Sequence, residues 1–202
     1  MKKKSTKEDL VNRRRTQIIK AAIKEFSSRG FHETEMDKIA ITAGVSKGTL
    51  YNYFENKQDL FLSSIDWGLN RLISRVYEAI EGIDDPVEKL QKALEVYLEF
   101  LRQNRNLFVI LYQYRSRFRE DMRAKFGKRH TAHFYVLEDI LADGMRKGVF
   151  KKFDAKSGAL AFAGGVFHSI LHGSIELKDK KSVTKYASEF KELILYGIIK
   201  RK

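Results

Sequence analysis

The sequence predicts an all-α protein of about nine helices, a small three-helix head followed by a larger helical domain. Three observations carry this. Apolar residues recur every three or four positions almost throughout, strand-like alternation is hard to find, and a single proline, Pro86, occurs in 202 residues. The chain has no cysteine, which excludes disulfides, thiolate zinc sites and cysteine nucleophiles and makes the cytoplasm the natural compartment. With 39 Lys plus Arg against 26 Asp plus Glu, the net charge of +13 favours an anionic partner, either nucleic acid or an acidic membrane surface.

Residues 1–11 carry Lys2, Lys3, Lys4 and Lys7 and read as a basic, flexible tail; no apolar signal-peptide core follows them. From Asn12 to Ser28, Ile19, Ala22, Ile23 and Phe26 share one helical face, and Gly30 supplies the left-handed stop. Two short apolar sets follow: Ile39, Ala40 and Ala43, then Val45, Leu50 and Phe54. They cover that face and complete a head over residues 12–57. The next helix, Gln58 to Ile80, keeps Phe61, Ile65, Leu69, Leu72, Val76 and Ile80 in phase and joins the head without a flexible linker. Residues 58–202 then form the larger domain. Asp85 and Pro86 open a helix reaching Gln103. Further helices are predicted over Asn106 to Tyr114, Arg117 to Lys147, Ala155 to Leu177 and Ser182 to Lys200, with a loop from Gly148 to Asp154.

Within the head the spacing meets the demands of a helix-turn-helix. Ala40 is small enough for a helix crossing, Gly44 tolerates the positive φ of the turn, and Ile39, Val45, Leu50 and Phe54 tie the second helix to the core. Ser46 is an N-cap for a helix over Lys47 to Tyr53, whose first turn leaves backbone N–H groups for phosphate. Its polar face, with Lys47, Gly48, Thr49, Tyr51, Asn52 and Tyr53, suits a major groove. An ordinary helical hairpin with a glycine turn shares this spacing. The surroundings favour DNA, because residues 1–29 hold ten Lys or Arg against three Asp or Glu and Lys57 follows within reach of a phosphate.

Residues 15–60 closely resemble the DNA-binding domain of the tetracycline-repressor (TetR) family of bacterial transcription regulators. The matching residues are Ile18, Ala22, Phe26 and Gly30, then Thr34, Ile39 and Ala40, then GVSKGTLYNYF from Gly44 to Phe54, with Lys57 and Leu60. The resemblance implies a dimeric, all-helical repressor whose third helix reads DNA and whose carboxy-terminal domain binds a small molecule. It places Lys47, Gly48 and Tyr51 nearest the bases, with Thr49, Asn52, Tyr53 and Lys57 on the phosphate backbone. One departure stands out. Glu35 and Asp37 occupy the start of the second helix, where the family has hydroxyl side chains and often an arginine. Both acids repel phosphate, so Thr34 carries over with Lys38 as the substitute cation, and the second helix is expected to support the reader.

Beyond residue 60 the resemblance rests on size and helix order. Aromatic residues are dense there, and their helical spacing suits core packing residue by residue. As a group, Trp67, Tyr97, Phe100, Phe108, Leu111, Tyr112, Phe134, Phe167 and His168 are candidates to line a cavity for a small apolar or aromatic effector. His168 and His172 lie one turn apart, but no third ligand accompanies them, and His130 and His133 add none; no metal and no cofactor are expected. No catalytic signature appears, so the protein is not read as an enzyme. The uncharged stretch Ala159 to Ile175 is 17 residues long, at the lower edge of a membrane span. Its histidines and its Ala161, Ala163, Gly164 and Gly165 suit burial between helices instead. With Ala187, Phe190, Leu193, Ile194 and Gly197 of the last helix it is expected to pair with its copy in a four-helix homodimer interface.

The predicted function is therefore a dimeric, sequence-specific regulator on a near-palindromic DNA operator, most simply a repressor that its effector releases. Two alternatives share the sequence: a regulator that answers to no small molecule, and a helical partner-binding protein with a vestigial DNA module.

Overall fold

Thr6 opens the first helix with a capping box: its hydroxyl accepts from the Asp9 backbone N–H at 3.1 Å, and the Asp9 carboxylate accepts from the Thr6 N–H at 2.9 Å. These bonds hold the Asp9 carboxyl below its ordinary 3.8. Helix α1 consequently begins at Lys7 and runs Lys7–Glu33. Residues 7–11, expected as tail, are its first turns, because a cap formed three residues apart outweighs the polarity of the segment. The computed structural model describes residues 6–114, 118–126, 132–171, 176 and 178–198; residues 1–5 of the expected tail lie outside them. At Gly30 the backbone turns to φ 78° and ψ 169°, so α1 is kinked there and resumes for one more turn.

The other helices are α2 (Met36–Ala43), α3 (Lys47–Tyr53), α4 (Lys57–Ile80), α5 (Pro86–Gln103), α6 (Arg105–Tyr114), α7 (Arg119–Phe126), α8 (Ala132–Arg146), α9 (Ala155–Leu171) and α10 (Lys180–Ile198). The all-α fold class is thus observed, with ten helices among the described residues. The span read as one helix over 117–147 carries two, α7 and α8, with Gly127 in the sequence between them. Helix α9 is described as far as Leu171, and Glu176, inside the span expected to be helical, is non-helical; His172 lies outside the described residues. No helix among the described residues is long and apolar enough to cross a membrane.

The chain divides into two compact units. The first comprises residues 1–68 and 106–125, the second 69–105 and 126–202. The boundary expected after Lys57 falls inside the first of these units. The first half of α4, together with α6 and α7, belongs with the head, and the reason is an aromatic core. Phe61 lies 5.1 Å from Phe26, 5.1 Å from Phe31, 5.4 Å from Tyr114 and 5.1 Å from Phe118, ring centre to ring centre. The Tyr114 hydroxyl also accepts the Phe31 backbone N–H at 2.7 Å, beside the Gly30 kink, which leaves a donor exposed. Lys125 of α7 closes the arrangement by pairing with Asp59 of α4.

In the second unit α5 packs against α8 and α10, and α8 against α9. Asp85 caps α5, accepting from Val87 N–H at 3.1 Å with Pro86 at the first helical position, as its sequence signal predicts. Asp154 caps α9 through Ser157 at 2.8 Å, and Asp179 caps α10 through Ser182 at 2.8 Å. Leu90, Leu94, Tyr97, Leu98 and Leu101 of α5 are buried. Burial pushes the Tyr97 hydroxyl well above its ordinary 10.0, so it stays protonated and uncharged in the folded chain.

Candidate nucleic-acid interface

The turn between α2 and α3 is built from local chemistry. Gly44 adopts φ 62° and ψ 39°, which a side chain would strain. Its N–H donates to the Ile41 carbonyl at 3.0 Å while Val45 N–H reaches the Ala40 carbonyl at 3.0 Å, the paired bonds of a left-handed helix stop. Ser46 then starts α3, accepting from Thr49 N–H at 3.0 Å. Leu50 and Phe54 are buried, α3 packs against α2, and the Arg15 guanidinium of α1 lies 4.8 Å over the Phe54 ring. One tie is absent from sequence reasoning: Gln17 of α1 donates through Nε2 to the Ala43 carbonyl at 2.6 Å, satisfying the open end of α2. Glu25, buried on α1, adds another by accepting from the Thr42 hydroxyl at 2.7 Å and pairing with Arg29 at 3.4 Å.

With its apolar side so occupied, α3 turns the rest outward. Ser46, Lys47, Gly48, Tyr51 and Asn52 are exposed, and Thr49 and Tyr53 are half-buried. Lys38 of α2 is exposed as well. These eight predicted site residues occupy one helix-turn-helix, and Lys47 is the only charged side chain in α3. It is not isolated: its Nζ lies 2.8 Å from Asp37 Oδ1 and 2.9 Å from Oδ2, and this bond holds the Lys47 ammonium above its usual 10.5. The position expected only to repel phosphate is therefore also the lysine's partner, a pairing across ten residues that no spacing rule announces.

Two residues expected to contact phosphate have partners within the chain. Thr34 is 1% exposed and donates its hydroxyl to the Gly30 carbonyl at 2.7 Å, tying the end of α1 across its kink. Lys57 donates to the carbonyls of His32 at 2.9 Å and Thr34 at 3.0 Å, and its ammonium lies 4.9 Å over the Phe31 ring. A cation among the open carbonyls of a helix C-terminus gains both hydrogen bonds and the dipole. Lys57→Ala is thus expected to destabilise the first unit by about 1 kcal/mol. Thermal melting checks this; an unchanged melting temperature returns the residue to the DNA surface.

The candidate effector residues fall on both units. Trp67, Phe108, Leu111 and Tyr112 belong to the first, where Trp67 is half-buried and Phe108 is 2% exposed; Tyr97, Phe100, Phe134, Phe167 and His168 belong to the second, where Tyr97 and Phe100 are core and His168 is exposed. The side chains of Leu111, Tyr112, Phe134 and Phe167 lie outside the described residues. The expected dimer face divides too. On α9, Leu160 is 45% exposed, Ala161, Gly164 and Gly165 are exposed beside it, and a Cβ at either glycine would meet nothing within 4 Å. On α10, which packs against α5, Ala187 is buried within the chain and Phe190 meets Phe162 edge-on with ring centres 5.3 Å apart. Leu193, Ile194 and Gly197 have no described side-chain surroundings.

Residues 18–63 match the family model described as bacterial regulatory proteins, tetR family, and residues 83–170 match the tetracyclin repressor-like C-terminal domain. The fatty acid metabolism regulator protein of Bacillus subtilis (strain 168) is 29% identical over 136 residues, covering 67% of this chain and 70% of that protein. The fatty acid degradation regulator FadR from Bacillus halodurans has the same fold, with a TM-score of 0.77 at 24% identity over 96% of this chain and 98% of that one. FadR from Bacillus subtilis, solved in complex with stearoyl-CoA, has a TM-score of 0.74 at 26% identity, covering 90% of this chain and 98% of its own.

Proposed function

Since the chain belongs to the TetR family of bacterial transcription regulators, we propose that it represses transcription as a homodimer on a near-palindromic operator and leaves that operator when a long-chain acyl thioester binds. The carrying observation is the outward face of α3. A Ser46 cap, an αL glycine turn and two buried anchors hold Lys47, Gly48, Tyr51 and Asn52 outside the core, the arrangement a major-groove reader needs. Thr49, Tyr53, Ser46 and Lys38 flank them for the phosphates.

Homodimerisation is supported by the small-residue face of α9, where Leu160, Ala161, Gly164 and Gly165 allow close approach of a second copy. Two α3 helices about 34–36 Å apart would then enter successive major grooves. The acyl class rests on the Bacillus subtilis relative solved with stearoyl-CoA. An apolar chain suits the buried, aromatic-rich helices of this protein better than a polar effector would.

Selection of bound duplexes from a random pool tests the operator: an enriched palindrome is expected, and a pool without one overturns the reading. Stearoyl-CoA titrated onto the enriched complex should release the DNA and raise the melting temperature of the free protein. A complex that survives saturating acyl thioester of every chain length overturns the effector class while leaving the operator intact.

A further inference from the structure

The Lys47–Asp37 pair presents a conflict that DNA binding by itself does not explain. Lys47 is the sole cation of the reading helix, and Asp37 of α2 holds it with both carboxylate oxygens, at 2.8 and 2.9 Å. Stability is a poor reason for the pair. Both side chains are more than half exposed, at 62% and 54%, where ion pairs contribute little. Asp37 in the first turn of α2 does gain a little from the helix dipole at its exposed position, but that gain needs no lysine partner. What the carboxylate does accomplish is to cancel the charge of the reading face. The one charge of α3 is matched by the Asp37 carboxylate.

On random DNA nearly all affinity comes from cations meeting phosphates. A lysine that meets a phosphate here brings Asp37 against the same anion, and a carboxylate finds no donor on the backbone. Base edges differ. Guanine O6 and N7 accept from a lysine whose remaining N–H groups are free, and the cytosine amino group donates to a carboxylate. The paired side chains therefore match a G·C edge and mismatch the backbone. Resting on the DNA-binding reading above, we propose that Asp37 is a specificity-determining residue: by holding Lys47 it suppresses binding to random DNA and reserves the lysine for base edges. The acidic start of α2 is then part of the reader.

The test uses the full chain, the duplex enriched from a random pool, and a scrambled duplex of equal length and composition. Asp37→Asn keeps the shape and removes the charge at an exposed position. At about 0.1 M salt it should tighten binding to the scrambled duplex about three- to tenfold and steepen the salt dependence there by about 0.9. Binding to the enriched duplex should change less than about twofold, so discrimination falls. On a Lys47→Ala background the same substitution should leave discrimination unchanged. Equal tightening on both duplexes, no change on the scrambled one, or an undiminished effect without Lys47 each overturns the proposal. If the wild-type chain enriches no duplex, the DNA-binding reading falls as well, an outcome distinct from the other three.

Discussion

Phe61→Ala is expected to destabilise the first unit by about 3–5 kcal/mol, the largest loss at any single side chain considered. Phe61 is fully buried and meets four rings, two from α1, one from α6 and Phe118 at the start of α7. Its removal leaves a void that rigid aromatic neighbours cannot fill by collapsing, so the transfer and cavity contributions add. Trp67, the single tryptophan, lies on α4 in the same unit and reports unfolding by fluorescence in a denaturant titration. A loss below about 1 kcal/mol would mean that the ring cluster is loosely packed. DNA affinity should fall with stability, because Phe26 and Phe61 join α1 to α4 within the unit that carries α3.

Gly68→Ala carries the second large effect, with a sign set by one neighbour. A Cβ at Gly68 would lie 1.9 Å from Leu107 Cδ2, 3.0 Å from its Cγ and 3.1 Å from its Cδ1. Rotating one methyl away does not clear the other two atoms, and Leu107 is 2% exposed, so α4 and α6 must separate. The overpacked variant should lose about 1–3 kcal/mol. Leu107→Ala should lose about 2–5 kcal/mol by leaving a cavity. Combined, the two should cost at least 1 kcal/mol less than their sum, since the new methyl occupies the vacated space. Additive losses would refute direct contact between these helices. The result also bears on where the head ends, because this crossing brings α6 into the first unit.

Legibility in the sequence followed the distance over which each decision was made. The capping residues Ser46, Asp85 and Asp154 and three of the four described glycines of positive φ, Gly30, Gly44 and Gly148, mark ends that their own neighbours dictate. Apolar periodicity likewise marked Leu50 and Phe54 as anchors; it suited Tyr97 and Phe100 to core packing or to a cavity lining, and both are buried. Residues 7–11 read as tail by their polarity, yet the Thr6–Asp9 box makes them helical. Local reasoning also ran α7 and α8 together, because periodicity continues on both sides of residues 127–131.

What the sequence by itself determined is the helical class, the helix-turn-helix at residues 36–53 and the polar face of Lys47 to Tyr53. Each follows from hydrogen bonds and side-chain spacing within about one or two helical turns. Only the tertiary structure decided which partner each long or buried polar side chain takes. Lys57 looked like a phosphate contact and sits on the carbonyls of His32 and Thr34; Thr34 is buried; Gln17 reaches Ala43 from 26 residues away; Asp37 holds Lys47. It also drew the border of the head, through Tyr114 and Phe118. The reason is physical. A cap is satisfied by its nearest neighbours, whereas an ammonium or a ring goes to whatever acceptor or apolar surface the folded chain brings within about 3 to 6 Å.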